Sequence, residues 1–135
     1  MKYCKTPNIM DKIHFYKYQG TGNDFVMIDN RENQFPRQDE TLIRRLCDRK
    51  FGVGGDGLIL LQDHEEYDFE MLYFNADATT SMCGNGSRCA VDLAHRLEMI
   101  GHHCQFYAED GPHHATIDEQ GLIHVRMVDV VGMEQ

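Results

Sequence analysis

The sequence of 135 residues has no tryptophan, no CxxC pair and too little positive charge to balance its acids. Thirteen Lys and Arg stand against 22 Asp and Glu, which leaves a net charge of −9 with His neutral. A protein that grips a phosphate backbone needs clustered basic residues, and so does one that docks on an anionic bilayer. No nucleic-acid partner and no membrane partner is therefore expected, and the acidity reads as a solubility feature. Apolar runs reach only four residues, as in Leu58-Ile59-Leu60-Leu61, against the roughly 20 that a spanning helix requires. Met1-Lys2-Tyr3-Cys4-Lys5 leads into no apolar segment, so no secretory signal is expected. Together these point to the cytoplasm, where the odd set of five cysteines would stay as free thiols.

What is present suits one domain with a core of its own. Hydrophobic residues make up 41% of the chain, with seven Phe and six Tyr as bulky filling. Residues 1–12 are polar, carry Pro7 and Asn8, and read as a loose leader to a domain over 13–135. Ile13 to Tyr18 and Asp24 to Asp29 read as strands around Gly20-Thr21-Gly22-Asn23. Asp39 is a natural N-cap for a helix carrying Leu42, Ile43, Leu46 and Cys47 that should end near Lys50. Gly54-Gly55-Asp56-Gly57 then reads as a flexible turn into a strand from Leu58 to Gln62.

In the strand from Asp68 to Asn75, Phe69, Met71 and Tyr73 face one way while Leu72 and Phe74 face the other. A strand apolar on both faces is covered on both. The spacing of Ala90, Leu93, Ala94, Leu97 and Ile100 predicts a helix from Ser87 to Ile100, stopped by Gly101. Cys89 and Val91 widen its apolar stripe, so this helix should be largely enclosed. Cys104 to Ala108, His113 to Asp118 and Leu122 to Val128 read as a meander. About seven strands with two helices give an α+β class with mainly antiparallel pairing.

The chemistry concentrates at Met82-Cys83-Gly84-Asn85-Gly86-Ser87-Arg88-Cys89. Cys83 precedes the enclosed helix, and unpaired N–H groups with the positive end of the helix dipole favour a thiolate there. The same groups can hold a carboxylate. Gly84 and Gly86 would keep the approach open, and Asn85 adds an amide donor. Such a thiol could attack a carbonyl or move a proton at a carbon beside a carboxylate. The plainer alternative is a buried cysteine in a glycine-rich turn.

Four segments in order resemble the diaminopimelate epimerase family: Gly20 to Phe25, Asp48 to Gly57, Phe74 to Asp77 and Met82 to Cys89. The resemblance runs from about Ile13 to Val128. It implies a mainly antiparallel sheet rolled around a central helix, with the second helix outside. It also implies a first half whose partner half supplies a second catalytic cysteine across the site. Carried over, Cys83 is the catalytic thiol, and Asn23, Asn75, Gly84 and Asn85 bind substrate. Cys89 matches a helix cysteine without a catalytic role. The implied reaction interconverts LL- and meso-diaminopimelate by proton transfer at the α-carbon, without cofactor, in lysine and peptidoglycan-precursor biosynthesis.

Departures from the family pattern are Ala78-Thr79-Thr80 in place of a stretch nearer Gly-Ser-Glu, and Ser87 in place of Ala. A third is Gly57, where some members carry a substrate-contacting Gln. Expected partners are a small amino-acid substrate and either a second half or a second copy of the chain. One thiol reaches one face of an α-carbon, so this chain alone should not epimerise. Alternatives are a proline racemase or phenazine-biosynthesis-type isomerase of the same fold, or a non-catalytic domain.

The His pairs 102–103 and 113–114 are candidate ligands, but adjacent strand residues point to opposite faces. No metal site is expected, and the pairs read as solvated strand ends. Gly52 to Gly57 precedes a strand and lacks the Walker lysine, so it is no phosphate loop. Arg44-Arg45 reads as the solvated side of its helix.

Overall fold

The computed structural model describes residues 13–19 and 22–128. The leader expected over 1–12 lies outside the described residues. Seven strands form one sheet in sequence order: β1 (Tyr16–Gln19), β2 (Asp24–Asp29), β3 (Gly57–Gln62), β4 (Phe69–Asn75), β5 (His103–Ala108), β6 (Gly111–Ile117) and β7 (Ile123–Met127). Four neighbouring pairs are antiparallel, while β2–β3 and β4–β5 are parallel. A parallel join needs a crossover, and the two crossovers are the helices α1 (Glu40–Cys47) and α2 (Gly84–Arg96).

The two crossovers advance the same way across the sheet but leave strands of opposite sense. Right-handed connections then put their helices on opposite faces. Strand alternation serves both. Val26, Ile28, Leu58, Leu60 and Phe74 pack with Leu42, Ile43 and Leu46 of α1. Phe25, Met27, Ile59, Leu61, Phe69, Met71 and Tyr73 pack with Ala90, Leu93 and Ala94 of α2. β3 is buried along its whole length, as a strand covered on both faces must be.

The sheet curls around α2. That helix packs on β3, β4 and the far edge strand β7, while Tyr18 on the opposite edge strand β1 donates its hydroxyl to Asp92 of α2 at 2.7 Å. The enclosed helix with the other helix outside is therefore observed.

Several boundaries differ from expectation. α2 begins at Gly84 rather than Ser87 and ends at Arg96 rather than Ile100. Its stop is Glu98, not Gly101. Glu98 takes the left-handed conformation (φ 63°), its N–H reaches the His95 carbonyl at 3.0 Å, and Met99 N–H reaches Ala94 at 2.9 Å. These are the two hydrogen bonds of a Schellman stop. α1 ends at Cys47 rather than near Lys50.

The glycine turn after α1 carries backbone hydrogen bonds to the end of the helix. Val53 and Gly54 N–H groups both bond the Leu46 carbonyl, and Gly55 N–H bonds that of Cys47. A side chain on Gly52 would collide with the Arg45 carbonyl oxygen at 1.7 Å. β1 is shorter than the expected Ile13 to Tyr18 run. His113 is not at a solvated strand end: it is buried, stacks on Phe106 and holds Asp110 Oδ1 at 2.7 Å through Nε2.

Candidate active site

α2 starts on Gly84-Asn85-Gly86, three residues with poor helix propensity. Tertiary contact overrides propensity here. A Cβ on Gly86 would lie 3.0 Å from Ile59 Cδ1 and 3.5 Å from Met71 Cε. The first turn thus rests directly on β3 and β4, and glycine is what allows that approach. Gly86 serves packing rather than ligand entry. Gly84 is the opposite case: it is exposed, with nothing within 4 Å of where a Cβ would be, and among the described residues its N–H has no partner.

Cys83 is the N-cap of α2. Its backbone is extended (φ −132°, ψ 120°), and its Sγ accepts the Gly86 N–H at 3.4 Å. Ser87 fastens the same turn, its N–H bonding the Cys83 carbonyl at 2.9 Å and its hydroxyl that of Gly84 at 2.7 Å. No acidic residue lies in the first turn, so no protein carboxylate there offsets the positive end of the helix. Cys83 is half-buried, and it contrasts with the other described cysteines. Burial pushes the Cys47 and Cys89 thiols up to about 11 and that of Cys104 up to about 12.

A run of polar contacts joins this helix start to the β1–β2 and α1–β3 connections. Asn85 Nδ2 donates to Asn23 Oδ1 at 2.8 Å, and Arg88 donates to Asn85 Oδ1 at 3.2 Å. Asn23 Nδ2 reaches Asp56 Oδ2 at 3.3 Å. Arg49 forks both oxygens of Asp24 at 2.8 Å and also takes Asp56 Oδ1 at 3.1 Å. Lys17 adds a contact to Asp24 at 3.4 Å. The Arg49 guanidinium is the main reason that the Asp24 carboxyl sits well below the usual carboxylate range.

Four of the five residues expected in the site therefore come together: Cys83, Gly84, Asn85 and Asn23. Asn75 stands apart. It ends β4 opposite Gly57, but its amide nitrogen is directed at Thr79 O, Thr79 Oγ1 and Ser81 Oγ, each at 3.1 Å, which holds the 75–81 turn. Cys89 is buried in the core, in line with a packing role.

Asp56, Arg49 and Tyr73 were not expected. Arg49 lies between Asp24 and Asp56 only in the fold, so no local sequence signal marks the cluster. Tyr73 was read as core only. Its ring lies over Gly57, where a Cβ would meet Tyr73 Cε1 at 2.5 Å and the hydroxyl oxygen at 2.6 Å.

No helix among the described residues is long and apolar enough to cross a membrane. No group of three or more His, Cys, Asp or Glu among them is placed to hold a metal ion.

The family model for diaminopimelate epimerase matches residues 15–132. The diaminopimelate epimerase of Flavobacterium psychrophilum is 55% identical over 116 residues, covering 85% of this chain and 45% of that protein. That of Chlorobaculum tepidum is 42% identical over 112 residues, and that of Aquifex aeolicus 40% over 119, each covering 81% of this chain and 43% of the relative. The chain thus spans less than half the length of these three relatives. Among solved structures, methylitaconate-delta-isomerase superposes with TM-score 0.61 at 13% identity, covering 81% of this chain and 35% of that one. The phenazine biosynthesis protein of the PhzF family from Bacillus anthracis gives 0.59 at 14%, covering 84% and 38%. At such identities the likeness concerns the fold alone.

Proposed function

The chain belongs to the diaminopimelate epimerase family, and from that premise we propose that it forms one half of a cofactor-independent amino-acid epimerase acting on diaminopimelate, in lysine and peptidoglycan-precursor biosynthesis in the cytoplasm. The Cys83 thiolate takes the α-proton on one face of the substrate, or its thiol returns it. As the C–H bond breaks, its electron pair moves into the adjoining carboxylate, whose negative charge grows. Donors fixed at a helix start are already aimed at that charge and need no reorganisation. Gly84 and Asn85 hold the carboxylate, Asn23 orients the Asn85 amide, and Asn75 shapes the rim through its turn.

The observation that carries this reading is a half-exposed thiol capping an acid-free helix start beside an open glycine. It supports one acid/base group for one face. Inversion needs a second group on the other face, and in this reading the second half supplies it.

Formation of the meso isomer in deuterated water, with deuterium appearing at the α-carbon, tests the reading. The purified 135-residue chain should form almost no meso isomer from LL-diaminopimelate, and a separately produced second half from a relative should restore turnover that Cys83→Ala abolishes. Robust meso product from this chain alone, lost in Cys83→Ala, would overturn the half-site. Turnover indifferent to Cys83→Ala would overturn the assignment of the thiol.

A further inference from the structure

Gly57 is the first residue of β3, and on the sheet face that carries α2 it lies two residues before Ile59. Ile59 lies beneath Gly86, whose own Cβ position is 3.0 Å from Ile59 Cδ1 and 3.4 Å from Cys83 Cβ. A group at Gly57 on that face therefore sits under the start of α2. The group there is Tyr73. The ring belongs to the core, edge-on to Phe25 with centroids 6.0 Å apart, and only 8% of the residue is exposed. Among the described residues its hydroxyl has no hydrogen-bond partner, and the oxygen itself is not sealed from solvent, so an acceptor from outside can reach it.

Taking the proposed function as given, we propose that Tyr73 is a further substrate-contacting residue of this site, its phenol O–H donating to the carboxylate held at the start of α2. The ring fills the space that a side chain at 57 would claim, so the hydroxyl replaces whatever polar group position 57 could have offered. Burial, then the charges of Cys83 and Asp56, push the Tyr73 hydroxyl up to about 12. It therefore stays protonated, a donor and never a competing anion, across the working range of a thiolate. The proton of that O–H is not transferred: Tyr73 binds, and Cys83 does the acid/base work.

The test compares two alkylating agents on the purified chain, with labelling at Cys83 read by peptide mass mapping. Iodoacetate carries a carboxylate and iodoacetamide does not. Tyr73→Phe keeps the ring over Gly57 and removes only the hydroxyl. It should slow iodoacetate at Cys83 by about tenfold, as expected for one lost hydrogen bond to a charged group, and alter the iodoacetamide rate less than about twofold. Acetate should protect Cys83 from iodoacetamide in the original protein and fail to protect it in Tyr73→Phe. Equal changes in both rates, or none, would overturn the role of Tyr73, because a packing role does not distinguish the two reagents. Failure of Cys83 to react ahead of the buried thiols would instead overturn the proposed function, so the two failures are distinguishable.

Discussion

α1 and α2 cross between parallel strands on opposite faces of one sheet, and each starts on a side chain that accepts a backbone N–H. Asp39 Oδ1 takes that of Leu42 at 3.1 Å, and Cys83 Sγ takes that of Gly86 at 3.4 Å. α1 adds Glu40 in its first turn, whereas α2 has no acid there and two glycines. α1 therefore neutralises its own positive end with protein carboxylates. α2 caps with sulfur, a weak acceptor, and leaves its start available to an anion from outside. The same local device serves stability on one face and chemistry on the other.

The largest expected effect concerns the thiols that flank this contrast. Cys89 lies on the same helix as Cys83, six positions later, yet burial pushes it up to about 11. A thiol with that value is ionised to only ~10⁻⁴ at pH 7. In a Cys4→Ser background, iodoacetamide at neutral pH should label Cys83 about 100-fold or more ahead of Cys47, Cys89 and Cys104. Labelling of any buried thiol first would show that α2 begins no more openly than α1.

Next in size is the body of α2. Leu93 is 1% exposed in the core that the sheet wraps, and Leu93→Ala should lower stability by about 2–5 kcal/mol in urea unfolding. A loss below about 0.5 kcal/mol, the range of surface substitutions, would mean that α2 is not enclosed.

These helices also show what the sequence can reveal. Asp39 sits three residues before Leu42, the first of an apolar 3–4 spacing, so the start of α1 is readable locally. The start of α2 is not, because Gly84 and Gly86 look like helix breakers until Gly86 is seen resting on Ile59. Its stop misleads for the same kind of reason: Glu98 takes a left-handed conformation that Gly101 advertises. Strand faces were readable from alternation, since Tyr73 and Met71 point to α2 and Phe74 to α1. The motifs point to Cys83, Gly84, Asn85 and Asn23, and the Asn85–Asn23 hydrogen bond shows that they lie together. The Asp56–Arg49–Asp24 cluster and the Tyr73 ring over Gly57 were not readable, because both are contacts between residues many positions apart.

Exchanging the caps sharpens the comparison at a scale of about 1 kcal/mol. Asp39→Ala should destabilise by about 1 kcal/mol, as oxygen caps generally do. Cys83→Ala should cost less, because a weak sulfur acceptor is all that is lost. Cys83→Asp should give α2 a start like that of α1 and raise stability by about 0.5–1 kcal/mol, while removing the reactive thiol. Thermal melts of the three variants check this. If Cys83→Asp is destabilising, the open start of α2 is not an unfilled cap, and the contrast with α1 fails.

The smallest effect lies behind the site, where Arg49 ties Asp24 to Asp56. Asp24 is held below the ordinary carboxylate range, first by the hydrogen bond from Arg49. A group whose folded value is depressed adds stability above its unfolded value, about 3.9, and that stability is lost as pH falls from there through the folded value. Below about pH 4 the protein should therefore lose stability more steeply than Asp24→Asn, which has no such proton to bind. Arg49 is 58% exposed, so solvent screens the pair and the difference should be small and should shrink with added salt. Melting temperature against pH, at low and high salt, provides the check. The variant should also loosen Asp56, and through it the Asn23 and Asn85 amides, so acetate should protect Cys83 from iodoacetamide less well in Asp24→Asn. Identical acid limbs for the two proteins would show that the Arg49 fork adds nothing to folding. Unchanged acetate protection would show that the α2 start is organised without help from the loop that follows α1.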